Sequence, residues 1–375
     1  MFAHIYGCPV ALFMSMGGVY PWINQRVGNY LPTSSVPHFF MLGDFAQGMN
    51  FFQRIRNFLC IFDYFITNLV VFPGNNAIIE EVYHNLPHVS TFHNNISLVL
   101  LGQHSSLRQS IPLAPNMVEI GGFHIDPPKK LSNDLQEILD NARNGAIFFS
   151  MGSHLKSRNF SEEKRRMFLN IFKKLDQIVL WKFEDDDLPG KPDNVCIKKW
   201  FAQMDLLAHP NIRLFMIHGG YGSLQEAVYH GVPVLTIPVF ADQFNNAHLA
   251  VQLGYALKLS YNDENFHEDT LYSLIQEMIK NPQYRENAKM RSRLFHDRPM
   301  KPLETAIYWI EYVIRNKGAP DLKLAALQLP FYQLYNLDIY LFFIVSIAKV
   351  YKTIIYLVWY LANNTNNFHS KIKNR

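Results

Sequence analysis

The chain has 375 residues, with 35 Lys and Arg against 31 Asp and Glu and a formal net charge of +4. That length accommodates two domains with real cores, and hydrophobic residues at 49% with aromatics at 14% exclude a disordered chain. The basic residues are scattered, with no stripe and no module pattern, which argues against a nucleic-acid partner; Cys8, Cys60 and Cys196 are too few and too far apart for a disulfide framework or a zinc site.

In chain order, Met1-Phe-Ala-His lacks a basic n-region, so no signal peptide is expected there. Residues 3 to 15 predict a helix end and a strand, Met49 to Leu69 an amphipathic helix, and Ile96 to Leu101 a buried strand. The Ser- and Pro-bearing stretch from 104 to 118 reads as an interdomain linker, and Gly121-Gly122 opens a second domain. There the pattern alternates. A helix over Leu131–Asn144, with Ser132 or Asn133 as its cap, precedes a strand over Gly145–Ser150. A helix over Ser161–Leu175 precedes a strand over Ile178–Lys182. A turn-rich loop then leads to a strand over Val195–Lys199, which delivers Trp200. Alternation of this kind predicts a parallel, Rossmann-like sheet.

Residues 200 to 243 carry the chemistry. Arg213–Ile217 is a strand-length apolar run, His218-Gly219-Gly220 follows as a turn, and Ser223 is expected to open a helix that Gly231 and Pro233 end. Val234–Phe240 predicts a second strand, closing on Asp242-Gln243. This βαβ unit puts polar residues at the carboxyl ends of both strands, where open α/β sheets bind ligands. Two glycines and a helix start favour an anion, with His218 and Ser223 as added donors. Trp200 offers a flat face for a base, Glu226 can accept from two vicinal hydroxyls, and Asp242 and Gln243 can bind a polyol. Taken singly, Ser223-Leu-Gln-Glu226 is also a capping box, Trp200 a core residue, His218 a satisfied turn residue and Asp242 a helix cap. Their joint order is what points to a ligand.

The stretch resembles the signature of the UDP-glycosyltransferases, most closely the insect-type membrane-bound branch. The motif runs WxxQxDxLxHP, then HGGxxSxxEAxxxGVP, then DQ, and departs from the family at Ala202 and Ile217. The likeness extends from about Pro9 to the C-terminus, through Pro21-Trp22-Ile23-Asn24, Phe149–Ser153, Val179–Lys182, Asp297-Arg298-Pro299 and Tyr332-Gln333. It implies a GT-B fold: two Rossmann-like domains, the N-terminal one incomplete, and a C-terminal transmembrane helix. Residues 1–115 would be the partial acceptor-binding domain and 116–300 the UDP-sugar domain, with 301–328 as a returning helix and connector. The implied donor residues are Ser150, Lys182, Trp200, Gln203, His218, Gly219, Gly220, Ser223, Glu226, Asp242 and Gln243. The implied reaction needs no cofactor or metal. A hexose, by analogy with Gln243 glucose, passes with inversion from a UDP-sugar such as UDP-glucose to a hydroxyl of a small lipophilic acceptor.

The family's general-base His and its partner Asp are expected upstream of Met1, since His4 and His38 do not sit in the matching context; no catalytic residue is assigned in this chain. Two explanations stand at this point: an incomplete gene model, or a shortened, non-catalytic isoform that binds UDP-sugar or pairs with full-length transferases as a homo- or hetero-oligomer. Further on, helices are predicted over Asn245–Leu253, Asp269–Lys280, Tyr284–Phe295 and Pro302–Asn316, the last with Trp309, Tyr312 and Val313 on its apolar side. Ile339–Leu361 is apolar over about 23 residues, enough to cross a bilayer. Lys349 and Lys352 would each cost ~2.5–3.5 kcal/mol at its centre, so an interfacial helix with snorkelling lysines is the competing reading. Lys371, Lys373 and Arg375 would form a basic cytosolic tail, resembling an endoplasmic-reticulum retrieval signal. Asn95-Ile-Ser97 and Asn159-Phe-Ser161 are glycosylation acceptors if the domain is luminal.

Overall fold

The computed structural model describes residues 2–15, 21–38, 48–60, 62–83, 96–108 and 110–373. Asn95 and Arg375, singled out above, lie outside them. The chain divides into two units, Met1–Lys323 and Leu324–Arg375.

The first unit contains two parallel sheets. The smaller has the order β1-β2-β3, from Val10–Met14, Ile96–Leu101 and Met117–Glu119. The larger is six-stranded, with β4 (Ala146–Ser150), β5 (Ile178–Lys182), β6 (Val195–Lys198), β7 (Ile212–Ile217), β8 (Val234–Thr236) and β9 (Ala256–Lys258) in the order β6-β5-β4-β7-β8-β9. The first three strands of that sheet run one way from β4 and the next three the other. The order therefore reverses between β4 and β7, leaving a crevice at their carboxyl ends.

Why these segments are strands follows from burial on both faces. Along β4, Phe148 packs into one core with Leu180, Phe215 and Val234, while Ile147 and Phe149 enter the opposite core with Trp181, Leu214 and Leu235. A strand covered on both sides needs a continuous apolar run, and Ala146–Phe149 and Leu214–Ile217 supply one. The second core is aromatic: Trp181 has ring centroids of Phe149, Phe172 and Phe183 at 5.3, 5.4 and 5.3 Å. The smaller sheet is covered by the helix Pro302–Arg315, whose Ala306 and Val313 join Leu98, Leu100 and Ile120, with Trp309 and Tyr312 packed alongside. The returning helix thus lies on the N-terminal sheet.

Several boundaries move. The stretch read as a linker contains β3, because the backbone of Met117–Glu119 pairs with Val99–Leu101; the smaller sheet therefore continues beyond residue 115. The single helix expected from Met49 is two helices, Phe51–Leu59 and Phe62–Val82. Asn50 starts the first by a reciprocal capping box with Gln53. The strand expected to reach Phe240 stops at Thr236; Pro238 has no N–H to continue the ladder.

One buried side chain ties the two sheets together. Gln225, on the helix Tyr221–Tyr229, accepts from the Gly122 N–H at 2.7 Å and donates to the Gly102 carbonyl at 2.9 Å. Gln225→Ala leaves both backbone groups unpaired in a buried place. It is expected to destabilise by about 1–3 kcal/mol, read as a lower urea midpoint; an unchanged midpoint would show that these bonds contribute nothing net.

The second unit holds the helix Leu337–Lys373. Its Leu337–Leu361 segment, 25 residues long, contains an 18-residue window with a mean hydropathy of 1.9 that is unburied by protein. It is long and apolar enough to serve as a membrane anchor.

Candidate functional site

The crevice at the reversal point is a cleft of about 340 Å³. Strand ends supply its walls. Ser150 ends β4 and Lys182 ends β5; Trp200 follows β6 by two residues, and Gln203 begins the short helix Gln203–Leu207. From the other side come Ser223 and Glu226 of the helix Tyr221–Tyr229. Ser150, Lys182, Trp200, Gln203, Ser223 and Glu226, far apart in sequence, therefore meet around one space.

The polar contacts within it are specific. Gln203 Nε2 donates to Glu226 Oε2 at 2.6 Å and to Ser223 Oγ at 3.1 Å. The other oxygen of Glu226 lies 3.6 Å from His124 Nε2. Lys182 is buried, its ammonium 2.8 Å from Glu184 and 5.8 Å from the centre of the Trp200 ring. Trp200 itself is 70% exposed. An indole left in water at a cleft mouth forgoes the burial that would normally hold it, so packing in this unit does not explain it.

Beside the cleft, the turn after β7 is built close to its neighbours. Gly219 has φ +89°, and a Cβ there would meet the Gln243 carbonyl oxygen at 2.9 Å; only glycine fits. The helix begins at Tyr221 with Gly220 as its cap. Ser223 is thus inside the first turn, and the capping-box reading of Ser223–Glu226 does not hold: its hydroxyl faces Gln203 instead. The His218 ring fills the gap between Gly152 and Gly220, where added Cβ atoms would come within 2.5 Å of it. Gly152 lines the cleft, so His218 stands directly behind its wall. Burial pushes its imidazole down to about 4, with Asp242 pulling weakly the other way, and its Nδ1 has no hydrogen-bond partner. Near pH 7 it is neutral, one nitrogen a donor and the other an acceptor.

His218, Gly219, Gly220, Asp242 and Gln243 do not line the cleft. Asp242 accepts from Asn246 at 2.8 Å, while the same amide donates to the Gly219 carbonyl at 3.1 Å, so Asp242 braces the glycine turn. It precedes the helix Gln243–Gln252 but makes no side-chain cap bond. Gln243 is buried, and its oxygen accepts from the Val239 and Phe240 N–H groups at 2.9 and 3.1 Å.

Three contributors escaped the sequence reading. His124 touches Glu226 from the turn after Gly121-Gly122. Arg108 lies 4.9 Å over the Tyr221 ring at the helix start. Ser153 lines the cleft. A signal for the last was available, since it continues the Phe149–Ser153 stretch; the first two are joined to the site only by the fold.

Residues 2–372 match the family model described as UDP-glucoronosyl and UDP-glucosyl transferase. The chain is 40% identical over 346 residues to a UDP-glycosyltransferase, UGT5, of Dactylopius coccus, covering 90% of this chain and 64% of the relative. It is 36% identical to UDP-glucosyltransferase 2 of the same insect, covering 90% and 67%. It is 32% identical to the human UDP-glucuronosyltransferase 2B7, covering 93% and 65%. The chain thus spans about two thirds of the length of these relatives. Among solved structures, the spinosyn forosaminyltransferase SpnP matches with a TM-score of 0.57 at 17% identity, over 83% of this chain and 72% of that one. The glycotransferase of kitacinnamycin matches at 0.50 and 18%, over 71% and 67%. These likenesses, with the two parallel sheets, make the fold GT-B. The chain belongs to the UDP-glucuronosyl and UDP-glucosyl transferase family.

Proposed function

We propose that the cleft between β4 and β7 binds a UDP-sugar. The exposed Trp200 at its mouth is the observation that carries this reading. Its ring would stack the uracil, Lys182 would stand beside the base, and the Gln203–Glu226 pair would take the ribose hydroxyls. Ser150, the helix start at Gly219-Gly220 and the neutral His218 would receive the diphosphate. Asp242 and Gln243 would approach the hexose from the loop after β8, which requires the Gln243 amide to turn from its present bonds. Residues 116–300 form the donor side in this reading, and residues 1–115 part of the acceptor side.

For the whole protein we propose inverting transfer of a hexose, glucose by preference, to a hydroxyl on a small lipophilic acceptor, at the endoplasmic-reticulum membrane. In that reaction the helix start and His218 stabilise the leaving diphosphate. The general base is not assigned to this chain: His218 stands behind the diphosphate and His124 is engaged with Glu226.

The test is UDP titration of the purified chain and of Trp200→Ala. Base stacking is worth ~1–3 kcal/mol, so affinity should fall roughly 5- to 150-fold. Unchanged affinity would remove Trp200 from the site and the reading with it. Competition between UDP-glucose and UDP-glucuronate for the same site decides the sugar, and tighter UDP-glucuronate would overturn the glucose preference.

A further inference from the structure

A second cavity, of about 300 Å³, lies at the amino end of β7 and shares no lining residue with the cleft. Arg213 is the second residue of that strand, and His218 follows its last. At ~3.3 Å per residue the two ends are separated by most of the sheet's height, on the order of 15–20 Å. The lining gathers cations from three elements: Arg213 from β7, Lys280 from the end of the helix Glu268–Lys280, and Arg285 and Lys289 from the helix Pro282–His296. Glu286 is the carboxylate among the lining residues.

The two arginines are placed by neighbouring backbone, while Lys280 and Lys289 are exposed. Arg285 donates to the Ile212 carbonyl at 2.6 Å and the Pro210 carbonyl at 3.4 Å, which fixes its guanidinium at the lower edge of the sheet. The Arg213 stem crosses Gly145 so closely that a Cβ there would meet its Cγ at 2.3 Å. Burial lowers Arg285 from its ordinary value, and the neighbouring Arg213 charge lowers it further. Among the described residues, none of the four cations is tied to a carboxylate. Four cations share the cavity with one carboxylate, Glu286, and this excess of like charge favours an anion there.

We propose that this cavity binds a phosphate-bearing anion, through Arg213 and Arg285 with Lys280 and Lys289 adding charge. Two planar forks suit a tetrahedral oxyanion better than ammonium groups alone. The phosphate comes either from a free phosphate ester or from a lipid headgroup.

The experiment titrates the full chain, in neutral detergent at fixed ionic strength, with two probes: inorganic phosphate, and phosphatidic acid in mixed micelles against phosphatidylcholine. The comparison proteins are R213E/K289E and, should charge reversal prevent folding, R213Q/K289Q, each required to melt cooperatively. The expected result is saturable binding of at least one probe by the unmodified chain, weakened about tenfold or more in the variants. Weakened binding of inorganic phosphate identifies a free anion as sufficient. Binding of phosphatidic acid alone, lost in the variants, identifies the lipid. Binding that survives both substitutions belongs elsewhere on the molecule and overturns the proposal, as does binding of neither probe.

Discussion

Taking the chain from pH 7 to pH 4.5 is expected to cost it roughly 4 kcal/mol of stability, from three histidines alone. His104, His218 and His230 are each pushed down to about 4 from 6.5, in every case first by burial. The Arg298 charge adds to this at His104, His154 adds to it at His218, and His296 adds to it at His230, while Asp242 and Glu226 oppose it at the last two. The sign is fixed by who holds the proton. Between 6.5 and about 4 the unfolded chain protonates imidazoles that the folded chain keeps neutral. Their contribution is therefore complete above pH 6.5 and is lost as the pH falls toward 4. Each shift in isolation would exceed the share given to it here; His104 and His230 are partly open to water, and solvent screening reduces theirs. Glu119 works the other way, since burial raises its carboxyl, but it is one group against three. Urea midpoints at pH 7, 6, 5 and 4.5 check the expectation. His230→Phe, which removes a buried ring nitrogen that has no partner, should flatten the profile by its share. A midpoint unchanged between pH 7 and pH 5 would show that these imidazoles are not held neutral.

The larger sheet was legible wherever a strand is buried on both faces. Ala146–Ser150 and Ile178–Lys182 read as strands because nothing polar interrupts them until the ligand end. β3 and β9 were not legible. Each is three residues long, Met117–Glu119 and Ala256–Lys258, at the edge of its sheet, and too short for any period to register. The break at Cys60 was hidden for another reason: apolar residues continue across it, and only the C-cap at Cys60 and the helix restart at Phe62 distinguish two helices from one.

In the cleft, the residues that sequence could name sit at the carboxyl ends of successive strands or just beyond them. Ser150 and Lys182 end β4 and β5, Trp200 and Gln203 follow β6, and Ser223 and Glu226 lie on the helix after β7. What it could not name was which atoms are already engaged. Gln243 reads as a free amide in sequence, yet its oxygen closes the turn at Val239 and Phe240. Ser223 reads as a cap, yet the helix starts at Tyr221, with Gly220, three residues before Ser223, as its cap. His124 reaches Glu226 only because Gln225 holds the Gly122 turn against the helix that carries Glu226.

Gly220→Ala is expected to weaken UDP binding by about 10- to 100-fold or more, while Gly222→Ala two residues away leaves it unchanged. Gly220 has φ −63° and ψ 134°, a backbone that alanine adopts without strain. The obstacle is the His218 ring, whose Nε2 lies 2.5 Å from the new Cβ. On its other side the ring already occupies the space that a Cβ at Gly152 would fill, which limits its retreat. It must leave its place, and the diphosphate loses a hydrogen bond of the charged kind, worth ~1.5–3 kcal/mol. The loss should equal that of His218→Ala, since both take the imidazole out of its place. Some stability is lost too, about 1–3 kcal/mol for the forced rearrangement. At Gly222 a Cβ meets nothing within 4 Å, and the position is helical. Alanine there should stabilise by ~0.5–1 kcal/mol. The pair of substitutions adds the same methyl group in the same turn and separates a steric effect on the ligand from a general effect on the helix. Equal UDP affinity in Gly220→Ala and the unmodified chain would show that neither His218 nor the glycine turn touches the diphosphate.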